Sequence, residues 1–214
     1  MKRDVQIIPS LLSMDLSCMR VSLKSIPAEV KMLHLDVMDG AFVENITFGP
    51  VFLENLRPLT RKKIDAHLMV ANPDKYAPLF VKAGADLVSF HPETSSNPVS
   101  LLKRIRAMGS KAGLAVNPDV NEKTILKYLN NADYVLLMSV FPGFAGQSFI
   151  KSVLSKLKRL KALQKNYDFK IEIDGGINEK TGRMAIEAGA EWIVSGSYLF
   201  KGKNMKNKIE GMVK

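Results

Sequence analysis

Gln6-Ile7-Ile8-Pro9-Ser10-Leu11-Leu12 opens the regular pattern of the chain: a short apolar run, then a proline, a serine and two leucines. Runs of the same kind cover residues 6–9, 32–38, 64–70, 86–91, 112–117, 133–140, 169–175 and 191–196. Most are near-continuous rather than alternating, as expected of strands buried on both faces of a parallel sheet. Between them the spacing is helical. Tyr76, Leu79, Phe80 and Ala83 form one apolar stripe, and Leu101, Leu102, Ile105 and Met108 a second. Val153, Leu157, Leu160 and Leu163 form a third, with Lys and Arg on the other face. Ala83-Gly84-Ala85-Asp86 and Ala188-Gly189-Ala190-Glu191 are near copies that put a glycine just past a helix and before a strand. Eight such units fit a (β/α)8 barrel or an open doubly wound sheet. An open sheet that binds a dinucleotide wants a Gly-rich turn after its first strand. Pro9-Ser10-Leu11-Leu12 stands there instead. The chain therefore reads as α/β, a (β/α)8 TIM barrel of eight parallel strands, with residues 1–214 forming one domain.

Composition limits the function classes. Of 214 residues, 46% are apolar and 24% charged, which excludes disordered and fibrous architectures. Cys18 is alone, so an intrachain disulfide and a cysteine-rich metal module are excluded. A lone thiol suits a reducing compartment, and the cytoplasm is expected. Met1-Lys2-Arg3-Asp4 precedes too short an apolar run for a signal peptide. No stretch approaches the ~20 apolar residues of a membrane span, so no membrane partner is expected. The net charge of +10 admits nucleic acid, a membrane surface or a small anionic substrate. Residues 151–214 hold 14 basic against 7 acidic side chains. Lys151, Lys156, Lys158, Arg159, Lys161 and Lys165 read as a solvated helix face, and residues 201–208 add four lysines. No aromatics interleave with these charges, so no specific nucleic-acid partner is expected.

Alternation along a strand puts His34, Asp36 and Met38 on one face and Leu33, Leu35 and Val37 on the other. The third strand repeats this with Asp65, His67 and Met69, and the seventh aims Glu172 and Asp174 inward. His91 ends the fourth. The C-terminal rim of a barrel is where active sites are built. Two histidines and two aspartates converging there can chelate one divalent metal, and the alternative is a structural salt-bridge cluster. Three glycine-bearing loops share that rim. They are Pro142-Gly143-Phe144-Ala145-Gly146-Gln147, Asp174-Gly175-Gly176-Ile177-Asn178 before a helix starting near Glu179, and Ser195-Gly196-Ser197. Glycines let backbone N–H groups approach an anion, and a helix N-terminus adds favourable partial charge.

These residues and segments resemble the ribulose-phosphate 3-epimerases over essentially the whole chain. The matching segments are Pro9-Ser10-Leu11-Leu12, His34-Leu35-Asp36-Val37-Met38-Asp39-Gly40, Asn45-Ile46-Thr47-Phe48-Gly49-Pro50, His67-Leu68-Met69-Val70 and Met138-Ser139-Val140. The 142–150 loop, Asp174-Gly175-Gly176-Ile177 and Gly196-Ser197 complete the set. The resemblance implies a (β/α)8 barrel acting on a sugar phosphate in the pentose phosphate pathway, as a homo-oligomer. It implies one divalent ion (Zn, Fe(II), Mn or Co) held by His34, Asp36, His67 and Asp174, with Asp36 and Asp174 also the acid and base. Ser10 and His67 would touch the sugar, and Met38, Met69 and Met138 would line the reacting centre. Gly143, Phe144, Ala145, Gly146, Gly175, Gly176, Gly196 and Ser197 would hold the phosphate.

The implied reaction converts D-ribulose 5-phosphate to D-xylulose 5-phosphate by inversion at C3. The alternative is a D-allulose-6-phosphate 3-epimerase, whose product is D-fructose 6-phosphate. The chain departs from the family pattern at Glu44, Phe141 and Ala145, and at Pro92 after the fourth strand. None of these removes a ligand or an acid/base residue. Other chemistries fit less well. Ile64-Asp65-Ala66-His67-Leu68-Met69 lacks the lysine of an orotidine-phosphate-type decarboxylase. Lys63, Lys111 and Lys170 lie at strand starts, on the wrong rim for a Schiff base. A basic nucleic-acid-binding protein is the remote alternative.

Overall fold

Eight strands follow the expected runs, with ends that agree or shift by one or two residues. They are β1 (Gln6–Pro9), β2 (Met32–Met38), β3 (Lys63–Met69), β4 (Leu87–Phe90), β5 (Lys111–Val116), β6 (Tyr134–Met138), β7 (Lys170–Asp174) and β8 (Trp192–Ser195). The structure, a computed structural model, describes residues 5–202 and 204–214, so the readings of Met1-Lys2-Arg3-Asp4 and of Lys203 lie outside it. Every neighbouring pair is parallel, in the order β1-β8-β7-β6-β5-β4-β3-β2. A parallel bridge from Ser10 to His34 brings β1 back to β2 and closes the barrel.

The outer layer comprises α1 (Met19–Ser25), α2 (Pro50–Leu56), α3 (Pro73–Lys82), α4 (Pro98–Ala107), α5 (Val153–Leu163), α6 (Glu179–Ala188), α7 (Ser197–Phe200) and α8 (Met205–Val213). A 3-10 helix over Glu122–Asn131 makes the crossover between β5 and β6. The starts carry local signals: Asn72, Asn97 and Asn178 accept from the backbone N–H three residues on, and prolines begin α2, α3 and α4. Gly84 and Gly189 adopt φ of +105° and +118° past their helices, the left-handed turn that the paired motifs require.

The outward faces of the strands, including Leu33, Leu35 and Val37, pack with the helices into one apolar layer. Inside the barrel, Ile8, Met32, Leu87, Tyr134, Trp192 and Val194 form a separate apolar plug. The helical stripes hold with two corrections. In α3 the buried side is set by Pro73, Ala77 and Phe80, which leaves Leu79 on the flank, 40% exposed. In α5, Lys156 does not belong to a solvated face: it is 6% exposed and caps carbonyls at the end of β5. Its Nζ donates to Asn117 O at 3.1 Å, to Pro118 O at 2.8 Å and to Val120 O. Among the described residues no helix is long and apolar enough to cross a membrane.

The inner plug depends on small residues facing large ones. A Cβ on Gly113 would lie 2.4 Å from Cζ of Tyr134, whose ring is fully buried and whose hydroxyl donates to Asp65 Oδ1 at 2.6 Å. The ring cannot withdraw without breaking that bond. Gly113→Ala is expected to destabilise the fold by about 1–3 kcal/mol, the usual range for overpacking. A lower urea midpoint at unchanged slope is the expected reading.

Candidate active site

The parallel register of β2 and β3 assembles the site. Asp36 lies beside His67, His34 beside Asp65, and Met38 beside Met69. All six point into the barrel, as alternation predicts. Asp174 ends β7, paired with Met138 of β6. His34 Nε2 lies 3.3 Å from Asp36 Oδ1 and 4.0 Å from Asp174 Oδ2, and His67 Nδ1 lies 3.5 Å from Asp36 Oδ1. One ligand atom from each of His34, Asp36, His67 and Asp174 lies within 4.8 Å of the others.

Whether these residues suit a metal can be judged from their free atoms. His34 Nε2 and His67 Nδ1 are buried without a hydrogen-bond partner among the described residues. Such orphans are rare in folded proteins. Both are aimed at the two aspartates, and a divalent cation there would satisfy all four side chains. The opposite ring nitrogens are occupied. His34 Nδ1 meets Asp65 Oδ2 at 2.6 Å, and His67 Nε2 meets His91 Nε2 at 3.0 Å. Partners of this kind orient a ligating imidazole and set its tautomer. The donor set thus fits a divalent ion.

Electrostatics separates the two aspartates. Burial raises the Asp36 carboxyl, but His34 and His67 outweigh it and hold the group below the usual carboxylate range. At Asp174 burial and then the Asp36 charge outweigh the opposing pull of His34 and lift the group to about 7. His67 is driven down to about 4, by burial first and also by His91, against the pull of Asp36. Burial opposes charge on His34, yet Asp36 and Asp65 push it well above the ordinary imidazole value. Ser10 Oγ donates to Asp36 Oδ2 at 2.7 Å. Ser139 Oγ donates to the carbonyls of Asp174 and Gly175 at 2.8 and 2.7 Å, fixing the end of β7.

A second group, His34, Asp65 and Glu172, also brings one ligand atom each within 4.8 Å. It is sealed, with all three residues fully buried. Burial, then the charge of Asp65, raises Glu172 well above the ordinary carboxyl value, and neither of its oxygens has a hydrogen-bond partner among the described residues. Asp65 is already engaged by His34 and by the Tyr134 hydroxyl. This lower layer has the character of the salt-bridge cluster, and the upper layer that of a ligand set.

Above the upper layer lies a cavity. Ser10, Asp36, Met38, Met69, Met138 and Asp174 line it, with Gly143, Phe144, Ala145, Gly146, Gly175, Gly176, Gly196 and Ser197 contributed by the loops. His34 and His67 lie fully buried outside that lining. The loops are seated on glycine. Gly176 has φ of +62°, and a Cβ on it would come within 2.5 Å of Phe149 N. α6 begins at Glu179, as expected, under a capping box of Asn178 and Thr181.

Several residues here carry no role in the sequence reading. His91 stands out there as a rim histidine, but its contact with His67 depends on the β3–β4 register. Tyr134 shares the inward alternation of Leu136 and Met138, a signal that could have revealed it. Asn45 Nδ2 donates to Gly143 O at 3.1 Å and ties the loop after β2 to the loop after β6. Gln147 Nε2 folds that second loop on itself by donating to Phe141 O at 2.7 Å and Phe144 O at 2.9 Å.

Comparison with known proteins adds to this geometry. Residues 6–200 match the model of the Ribulose-phosphate 3 epimerase family. Ribulose-phosphate 3-epimerase of Bacillus subtilis is 41% identical over 209 residues, covering 96% of each chain. Ribulose-5-phosphate-3-epimerase, chloroplastic, of Arabidopsis thaliana is 40% identical over 217 residues, covering 99% of this chain and 77% of its own. Among solved structures, 3-hexulose-6-phosphate synthase from Salmonella typhimurium superposes with a TM-score of 0.70 at 14% identity, covering 98% of this chain and 97% of that one. At that identity the likeness supports the barrel fold alone.

The two layers make different predictions for metal uptake. Titration with Zn(II) is expected to load one ion per chain. His67→Gln should weaken binding by about tenfold or more, since even outer partners of metal ligands are worth that much. Glu172→Gln should leave binding nearly unchanged. The reverse pattern, read by competition with a chromophoric chelator, would place the ion in the lower layer.

Proposed function

The chain belongs to the ribulose-phosphate 3-epimerase family, and from that premise we propose that it converts D-ribulose 5-phosphate to D-xylulose 5-phosphate with Asp36 and Asp174 as paired acid and base. The observation that carries this reading is the convergence of two partnerless imidazole nitrogens and two aspartates under one glycine-rimmed cavity.

Inverting a carbon next to a ketone requires a base on one face and an acid on the other. Asp36 and Asp174 end inward-facing positions on β2 and β7, with β1 and β8 between them on the short way round the barrel. A substrate lying across the cavity would present its C3 between them. One of Asp36 and Asp174 would remove the C3 proton and the other would return a proton from the far side. The roles exchange in the reverse direction. When bound, a divalent ion (Zn, Fe(II), Mn or Co), held by His34, Asp36, His67 and Asp174, supplies Lewis-acid stabilisation of negative charge on the neighbouring oxygens.

Ser10, already bonded to Asp36, would contact a sugar hydroxyl and keep that carboxylate turned toward C3. His67 would act from beneath the cavity as a ligand. Met38, Met69 and Met138 would form an uncharged, polarizable floor that does not hydrogen-bond the acid and base away from carbon. Backbone N–H groups around Gly143, Phe144, Ala145, Gly146, Gly175, Gly176, Gly196 and Ser197 would hold the phosphate. The same reading makes residues 1–214 one domain, cytoplasmic and homo-oligomeric. The exposed thiol of Cys18 supports a reducing compartment.

Turnover in D₂O tests the reaction. Solvent deuterium should enter ribulose 5-phosphate at C3, at a rate above that for allulose 6-phosphate. Faster entry into the hexulose phosphate would assign the longer substrate, and entry into neither, with Zn(II), Fe(II), Mn(II) or Co(II) supplied, would remove the epimerase reading. Asp36→Asn and Asp174→Asn should each lower kcat by about 10²–10⁴, the usual worth of a positioned acid or base. Circular dichroism of both variants should stay that of the folded barrel. An Asp174→Asn variant at full rate would disprove the two-base scheme.

A further inference from the structure

One buried titratable side chain beside the site has no part in the proposed reaction. His91 follows β4, is fully buried, and places its Nε2 3.0 Å from Nε2 of His67. Its carbonyl accepts from Thr94 N at 3.1 Å and Thr94 Oγ1 at 2.8 Å, which fixes the turn that carries it. The Phe42 ring packs on its imidazole with centroids 4.7 Å apart.

Two imidazole nitrogens at hydrogen-bond distance need one donor and one acceptor. His67 has little choice. Its Nδ1 faces Asp36 Oδ1 at 3.5 Å with no hydrogen-bond partner among the described residues, and must keep its lone pair to serve as a ligand. Its proton then sits on Nε2 and is donated to His91. His91 Nε2 therefore accepts, and the proton of His91 falls on Nδ1, which has no hydrogen-bond partner among the described residues and lies 3.6 Å from Glu93 Oε1. Glu93 Oε1 in turn accepts from Asn117 Nδ2 at 3.2 Å.

We propose that His91 is a positioning residue: it accepts the Nε2 proton of His67 and so holds that ring in the tautomer whose Nδ1 lone pair points at Asp36 and Asp174. The assignment rests on the reading of His67 as a metal ligand. It makes the two histidines of the ligand set unequal. His34 is backed by a carboxylate, Asp65, and His67 by the imidazole of His91.

A histidine present for bulk alone would be replaceable by leucine, whereas a proton acceptor would be replaceable by glutamine. The test compares Zn(II) affinity, by chelator competition, in the unmodified protein, His91→Leu, His91→Gln and His67→Gln. His91→Leu should lose about 10–100-fold in affinity, the usual effect of removing the outer partner of a metal-bound histidine. His91→Gln, whose amide oxygen can accept, should recover most of it. In ¹⁵N-histidine spectra of the zinc-loaded protein, His67 should carry its proton on Nε2 and His91 on Nδ1. Equal zinc affinity in His91→Leu and the unmodified protein overturns the proposal. It leaves the ligand reading intact if His67→Gln still loses zinc. An unmodified protein that binds zinc no better than His67→Gln overturns both. If His91→Leu fails to fold, the spectra decide, and a proton on Nδ1 of His67 overturns the proposal.

Discussion

Everything in this barrel is arranged around His34, an imidazole sealed between carboxylates. Asp65 meets one ring nitrogen at 2.6 Å and Asp36 stands 3.3 Å from the other, with no solvent reaching the ring. Taking such groups out of water is costly unless each charge and lone pair is answered. Part of the answer comes from specific neighbours: the Tyr134 hydroxyl for Asp65 and the Ser10 hydroxyl for Asp36. The apolar plug around Trp192 and Val194 supplies the remaining inner packing. Without hydrogen-bond partners among the described residues are the two nitrogens that face Asp36 and Asp174 and, below them, both oxygens of Glu172. The two upper nitrogens differ from the sealed Glu172 oxygens in lying between two aspartates that line the cavity, where a bound cation would answer them.

The rim solves a different problem. An anion held by backbone N–H groups needs main chain brought close, and side chains obstruct that approach. Gly176 lies so near Phe149 N that no Cβ fits, and a Cβ on Gly196 would come within 2.7 Å of Ser13 Oγ. The loops after β6, β7 and β8 can therefore converge because their contact points are glycine. Rigid chemistry below and close-packed main chain above are linked through β7, whose last residue, Asp174, leads directly into Gly175 and Gly176.

Much of this is legible in the residues taken alone, and the reason is local. Runs buried on both faces mark a parallel sheet, and strand alternation alone sends His34, Asp36 and Met38 to the same side. The glycine pair Gly84 and Gly189 follows from helix termination. The features that escape depend on which strands are neighbours and on the detailed helix face. The role of His91 requires knowing that β4 lies beside β3. Lys156 belongs to a lysine-rich helix, and only the carbonyls at the end of β5 make it a buried donor. Leu79 has the right spacing for a core stripe, yet Phe80 and Ala77 turn the helix so that it sits on the flank.

The same division bears on how a five-carbon ketose phosphate is told from one carbon more. The extra carbon lies between C3 and the phosphate, so it lengthens the span from the aspartate pair to the glycine loops. The aspartates and the loop after β7 are tied in place. Asp36 is pinned by Ser10, the end of β7 by Ser139, and Gly176 is wedged against Phe149. The loop from Phe141 to Gln147 is different in kind. Phe141 and Phe144 are 51% and 56% exposed, and the hydrogen bonds recorded there run from Asn45 to Gly143 and from Gln147 to Phe141 and Phe144. Size selection on the proposed reaction therefore falls to this loop. Phe141 and Ala145 depart from the family pattern within it, and Glu44 departs beside Asn45, the residue that tethers it.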